Sequence, residues 1–356
     1  MNAGENDPVI RSLPCPDCRL CGTRGELRYA GIKDRLFGTP GTWNLKECPG
    51  PGCGLLWLDP MPIEDDIVRA YRTYFTHGEN VQDSDRHSPG LFRRGKRFYR
   101  EGRKEGYLAN RYGYRSETVA PWKTWLGMLM YLCPARRADL DARVMYLRRM
   151  VRGRLLEVGC GGGRMLKFMQ DLGWQVEGVD FDPVAVANAE SKGLDVRLGN
   201  LEEQGYPDDH FDAVTMHHLI EHVSDPVRLL RECRRILKPL GRLVAVTPNV
   251  ESLGHRVYRQ SWRGLEPPRH LHIFNRKSLG RLAEKAGFRT FDIFSTSRGA
   301  KDLFAASRSI QRAGSHVLGG PVPFPVLWAR GMQFLEWALV RFSPGAGEEI
   351  VLITRK

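Results

Sequence analysis

The feature that most narrows what this chain can fold into is the run Glu157-Val-Gly-Cys-Gly-Gly-Gly163, which ends an apolar stretch and opens an amphipathic one. Glycines at such a strand-to-helix turn leave backbone amides and a helix N-terminus open to a ligand, whereas side chains would block them. On its own the run also fits an ordinary tight turn. About twenty residues later, however, the next apolar stretch ends in Val179-Asp180-Phe181-Asp182, and a carboxylate at that spacing can accept both hydroxyls of a ribose. Together the two features predict a nucleoside ligand.

The surrounding pattern supplies the scaffold. Short β-rich runs at 155–158, 176–179, 196–198, 213–216 and 243–246 alternate with amphipathic helical spacing at 165–172, 184–191, 226–237 and 278–286, and 348–354 reads as a last strand. Alternation of this kind gives a mostly parallel sheet covered by helices on both faces. The expected fold is α/β, a Rossmann-like sheet of seven mostly parallel strands, preceded by a small cysteine-rich module and a helical segment. The expected divisions are 1–62 for the module, 63–150 for a helical, basic linker or cap, and 151–356 for the sheet domain. A helix is expected at 63–74 and another over 126–150. Residues 297–342 form an insertion whose Leu, Phe and Trp residues suit a cleft lid or a membrane surface. The lid is favoured, because the chain must return to the sheet.

The loop reads Glu-x-Gly-x-Gly-x-Gly, with an acidic residue two before the first glycine, and not the Gly-x-Gly-x-x-Gly fingerprint of dinucleotide sites. With Gly199-Asn200 after the third strand, Phe211-Asp-Ala-Val-Thr215 as the fourth and Leu237-Lys-Pro-Leu-Gly-Arg-Leu243 entering the fifth, the stretch 155–288 resembles class I S-adenosylmethionine-dependent methyltransferases. Leu240 departs from the family's usual glycine. The resemblance implies that Gly161 belongs to the cofactor loop, that Glu157 and Gly159 contact the methionine end of S-adenosylmethionine and Asp180 the ribose, and that Phe181, Asn200 and Leu201 contact the adenine.

Of the eight cysteines, Cys15, Cys18, Cys21, Cys48 and Cys53 precede residue 54. Cys18-Arg-Leu-Cys21 and Cys48-Pro-Gly-Pro-Gly-Cys53 supply four thiolates in two knuckles, enough for a closed tetrahedral zinc site without an open catalytic position. Cys15 is a fifth candidate. Followed by Cys53-Gly-Leu-Leu-Trp-Leu-Asp-Pro-Met-Pro62, the module resembles the zinc-ribbon-like head of bacterial methyltransferases acting on sugars and other specialised metabolites. Its second knuckle is longer than that group's two-residue spacer. The polar N-terminus lacks the basic-then-apolar leader of a secreted chain, and no apolar run approaches the ~18 residues of a membrane span, so a reducing, cytoplasmic setting is expected.

Candidate chemistry follows the fourth strand, in His217-His218-Leu-Ile-Glu221-His222, with a second cluster in Pro267-Pro-Arg-His270-Leu-His272-Ile-Phe274. His218-x-x-Glu221-His222 matches the inverted zinc-peptidase motif, but its place at a strand's carboxyl end is where this fold holds substrates. His218, Glu221, His222 and His272 are the candidate catalytic residues, as general base, as metal ligands or as structural groups. Ubiquinone-pathway and small-RNA O-methyltransferases carry a similar motif that can bind a divalent metal, with a glutamate where His218 stands.

The net charge of +13 and pI near 9.5 suit nucleic acid, an anionic membrane surface or a phosphorylated substrate. The basic stretch 92–115 is either a solvated helix face or a patch for an anionic partner. Recognised RNA-binding signatures are absent. The expected function is methyl transfer from S-adenosylmethionine to a small-molecule acceptor, a sugar, glycolipid or specialised metabolite, with O-methylation first. An RNA-binding methyltransferase and a non-catalytic methyltransferase-like scaffold are the alternatives.

Overall fold

The computed structural model describes residues 10–71, 91–114, 121–317 and 326–356, with the side chains of 91–100, 121 and 326 outside the description. The fold is a Rossmann-like sheet of seven mostly parallel strands with flanking helices. The chain divides into two compact units, one drawn from residues 75–204 and 211–215, the other from 1–74, 205–210 and 216–356.

In the first unit Arg154–Val158 pairs in parallel with Gln175–Asp180, which pairs in parallel with Asp195–Leu198. Leu155, Leu156, Glu157 and Val158 are all buried, as expected of a strand covered on both faces, which reads as a continuous run and not as an alternation. The helix Arg164–Asp171 turns Leu166 and Met169 inward. The next helix, Pro183–Glu190, starts where Asp182 accepts the Val184 N–H at 2.8 Å and proline takes the first turn, a position that has no use for an N–H. The expected helix over 126–150 is three pieces: Pro121–Met128, a 3-10 turn Leu129–Leu132, and Pro134–Arg143. Pro134 has no N–H to continue the preceding turn, and Met145 and Tyr146 have positive φ, which ends the last piece. The basic stretch is the helix Leu91–Tyr112; residue 115 lies outside the described residues.

In the second unit Leu237–Pro248 pairs antiparallel with Glu349–Arg355, and Phe291–Thr296 pairs antiparallel with the other side of Glu349–Arg355. Phe291–Thr296 is a sheet strand that the sequence pattern did not single out. The helix Pro226–Ile236 buries Leu229, Leu230, Cys233 and Ile236 along one face, with Asp225 capping its first amides. Leu240 sits at φ 64°, a conformation in which glycine is at ease and leucine is not. Three strands within residues 26–58 and a fourth at His272–Ile273 build an antiparallel sheet ordered His272–Ile273, Leu56–Leu58, Trp43–Glu47, Glu26–Ile32. The expected helix at 63–74 is a short α-turn Glu64–Ile67 continued by a 3-10 turn Val68–Tyr71, with 72–74 outside the described residues.

The stretch 297–342 contains the helices Ala300–Ala313 and Val326–Val340; 318–325 lie outside the described residues. The second helix carries Glu336, fully buried, whose Oε1 accepts the Glu348 N–H at 2.8 Å while Oε2 has no partner. Glu348 accepts the Gly254 N–H at 2.7 Å and the Trp262 indole N–H at 2.8 Å. Burial and the neighbouring carboxylate push Glu336 up to about 9 and, with burial again first, Glu348 to about 7.

Candidate functional site

The glycine loop turns on left-handed backbone. Gly159, Gly161 and Gly163 have φ of 70°, 52° and 71°. A Cβ on Gly163 would lie 2.3 Å from Leu194 Cδ1, whereas one on Gly161 would meet nothing within 4 Å. Gly163 is therefore needed for packing, whereas Gly161 borders open space. Asp180, at the end of its strand, accepts the Gly161 N–H at 2.7 Å and the Asp182 N–H at 2.9 Å, so it pins the loop as well as the next turn. Glu157 is 3% exposed and its Oε2 has no hydrogen-bond partner. Burial first, and the charge of Asp180 second, push its carboxyl well above the usual range. A buried carboxylate atom without a partner is expensive unless a cation or donor arrives. The α-ammonium of S-adenosylmethionine is such a cation, so the residues fit that cofactor.

The other residues expected to meet the adenine have distinct settings. Phe181 keeps 38% of its surface exposed. Asn200 caps the 3-10 turn Leu201–Glu203 in a reciprocal arrangement with Glu203, and Leu201 is buried.

The second group of residues gathers around the turn after the strand Phe211–His217. His218 is at φ 53°, a strained conformation for a residue with a Cβ. Its Nδ1 faces Glu221 Oε1 at 3.1 Å and its Nε2 faces Glu349 Oε1 at 3.0 Å. Carboxylates only accept, so satisfying both requires both ring protons and an imidazolium. Burial opposes that charge, but the two carboxylates prevail and hold His218 at about 9. Glu221 and Glu349 are held at about 2 against their burial, the first by His218, the second by Arg298 and His218. His217 accepts from Arg298 at Nε2 and is depressed to about 3, by burial first.

His222 is different. Its Nδ1 lies 3.0 Å from the Arg269 carbonyl and 2.9 Å from the Tyr71 hydroxyl. A carbonyl only accepts, so the proton is on Nδ1 and the Nε2 lone pair stays open. Burial lowers its pKa, which keeps the ring neutral. His270 has the same tautomer, with Nδ1 2.7 Å from the Gly264 carbonyl, and is depressed to about 4 by burial. The two rings are 4.7 Å apart. Donor atoms of Glu221, His222 and His270 all lie within 4.8 Å of one another. The backbone around them is fixed by fully buried Arg269, which pairs with Asp34 at 2.9 Å and Glu266 at 3.1 Å.

His218, Glu221 and His222 thus come together as the sequence suggested, and His272 does not. Pairing with Trp57 in the antiparallel sheet draws His272 into a separate cavity with Arg19, Asp225 and Arg231. His270, two residues earlier, takes the place beside His222. Glu349 and Arg298 were not singled out. Glu349 was visible only as an acidic residue opening the last strand, and nothing local marks Arg298.

The cysteines form a third group. Cys18, Cys21, Cys48 and Cys53 have sulfurs all within 4.8 Å of one another, with Cys21 to Cys48 at 3.3 Å and Cys18 to Cys53 at 3.7 Å. Four thiolates on one zinc, each at ~2.3 Å, would be ~3.8 Å apart, so the set fits a metal with little movement. Cys15 stands outside it, its sulfur 3.9 Å from the Asp17 carbonyl.

Residues 135–292 match a family model described as a methyltransferase domain. A protein of Mycolicibacterium smegmatis named probable S-adenosylmethionine-dependent methyltransferase is 34% identical over 41% of this chain and 56% of its own length. A ubiquinone biosynthesis O-methyltransferase of Xanthomonas oryzae pv. oryzae is 41% identical over 33% of this chain and 51% of its own. The chain therefore spans little more than half the length of these relatives. Among solved structures, an S-adenosylmethionine-dependent methyltransferase from Thermotoga maritima aligns with 23% identity and a TM-score of 0.42, over 66% of this chain and 96% of that one.

Proposed function

We propose that this chain, whose residues 135–292 match a methyltransferase domain, is a class I S-adenosylmethionine-dependent methyltransferase that transfers the cofactor's methyl group to a hydroxyl of a small-molecule acceptor. The observation that carries the reading is the orphaned buried carboxylate of Glu157 at the foot of a loop pinned by Asp180. When bound, S-adenosylmethionine supplies a methyl group on an already activated sulfonium. The chain's residues hold and align: Glu157 receives the ammonium, Asp180 the ribose hydroxyls, and Phe181, Asn200 and Leu201 border the base. The names of the ubiquinone-pathway relatives support oxygen as the acceptor atom. The resemblance of the N-terminal module supports a sugar, glycolipid or specialised metabolite.

Open α/β sheets bind ligands outside the carboxyl ends of their strands, and the turn His217 to His222 leaves such an end. His222, neutral with its Nε2 lone pair open, acts as the base that takes the acceptor's proton. His218, held as imidazolium between Glu221 and Glu349, positions that turn. In a second reading, favoured by donor atoms within 4.8 Å, Glu221, His222 and His270 hold a divalent ion that lowers the acceptor hydroxyl's pKa. Cys18, Cys21, Cys48 and Cys53 hold a structural zinc, with 1–62 as its module and 297–342 as a cover over the acceptor.

The test incubates the purified chain and labelled S-adenosylmethionine with fractionated small-molecule extract. Label should enter a small metabolite, and His222→Ala should slow transfer by ~10² to 10⁴ with cofactor affinity unchanged. Loss on chelation with rescue by added divalent ion, while folding is retained, selects the metal reading. Wild-type turnover in both His222→Ala and Glu221→Gln would defeat both.

A further inference from the structure

The helical segment before the glycine loop presents an apolar stripe to solvent. Trp125 is 78% exposed, Met128 57%, Leu129 38% and Leu132 78%. They stand at i, i+3, i+4 and i+7, the spacing that places residues on one side of a helix. A soluble helix normally turns that side inward. Here the inward side packs Gly127 against Gly106 of the facing helix. A Cβ on Gly127 would lie 2.3 Å from the Gly106 carbonyl carbon, and one on Gly106 would lie 1.8 Å from the Lys123 carbonyl oxygen. The helices Leu91–Tyr112 and Pro121–Met128 thus meet backbone to backbone, and the large side chains are left on the far side. The hairpin is firmly seated: Tyr107 and Tyr112 both donate to buried Asp141, at 2.6 and 2.8 Å.

Cations border the stripe. Arg103 donates to the Leu129 carbonyl at 3.0 Å, Arg137 lies 5.6 Å from the centre of the Tyr131 ring, and Arg136 is exposed on the next helix. A stripe of Trp, Met and Leu edged by arginines matches an interfacial surface, in which apolar residues enter the acyl boundary and cations meet lipid phosphates. A nucleic acid would use the arginines and leave the stripe in water.

We propose that Pro121–Met128 and the following turn Leu129–Leu132 form a membrane-docking surface for anionic bilayers. The surface stands on its own observations and does not depend on the methyl-transfer reading.

The test is cosedimentation of the full chain with phosphatidylcholine vesicles and with vesicles in which about a third of the lipid is phosphatidylglycerol. The chain should pellet with the anionic vesicles, less so as salt rises, and poorly with the neutral ones. Trp125→Glu with Leu132→Glu should weaken binding to the anionic vesicles about tenfold or more. Both positions are exposed, and circular dichroism with thermal unfolding of the same variant checks that the unit stays folded. No pelleting with anionic vesicles, or equal pelleting of wild type and variant, overturns the proposal. So does a wild-type dimer in light scattering that becomes a monomer in the variant, which would assign the stripe to a second copy of the chain.

Discussion

Replacing Asp180 probes the proposed cofactor site at the residue that pins its glycine loop. Its carboxylate is oriented by the Gly161 and Asp182 amides at 2.7 and 2.9 Å. Hydrogen bonds to a charged acceptor contribute ~1.5 to 3 kcal/mol each, and water regains part of that when the carboxylate is removed. A net loss of ~1.5 to 3 kcal/mol, or about 10- to 100-fold in affinity, is therefore expected for Asp180→Ala with S-adenosylhomocysteine or S-adenosylmethionine. Asp180→Asn keeps an acceptor for one of the two amides and loses the charge, so its loss should be smaller, about tenfold. Isothermal calorimetry on the three proteins measures this directly. If Asp180→Ala binds within twofold of wild type, Asp180 does not meet the ribose, and the reasoning from loop to nucleoside fails.

Further outcomes follow from the same geometry. Glu157→Leu should abolish cofactor binding yet leave the unliganded protein at least as stable as wild type in chemical denaturation, because it removes a buried carboxylate without a partner at Oε2. The freshly purified chain should contain about one zinc by elemental analysis, lost together with stability when Cys18 and Cys21 are replaced by serine; a metal-free, stable wild type would remove the zinc. Burial first pushes the carboxyls of Glu336 and Glu348 up from their ordinary 4.5, to about 9 and about 7. Their protonated forms favour the fold below about pH 4.5, and that contribution is lost as pH rises through about 7 and then 9. Glu336→Gln should therefore stabilise the protein more at pH 8 than at pH 5 in chemical denaturation, and an equal effect at both would show that burial does not raise the folded pKa of Glu336.

What was legible in the sequence is what the chain specifies locally. The glycine loop, Asp180 and the parallel strands around them are consecutive βα units, so spacing alone orders them. The break at Pro134 was written in the sequence, yet the apolar recurrence over 126–150 masks it, because the same residues that mimic a buried helix face are the exposed stripe Trp125 to Leu132. Side chains assembled from afar were not legible. Glu349 reaches His218 across 131 residues, and the Arg269 carbonyl reaches His222 across 47. Between His270 and His272 no local signal chooses. The choice is made by the pairing of His272 with Trp57, more than two hundred residues earlier in the chain.

The central claim, that the loop at Glu157 with Asp180 is an S-adenosylmethionine site and not a dinucleotide site, meets its most direct test in calorimetric titration of the wild-type chain with S-adenosylhomocysteine and, separately, with NAD. One site per chain for S-adenosylhomocysteine and no heat of binding for NAD is the predicted result. Binding of NAD without S-adenosylhomocysteine, or of neither, would contradict it.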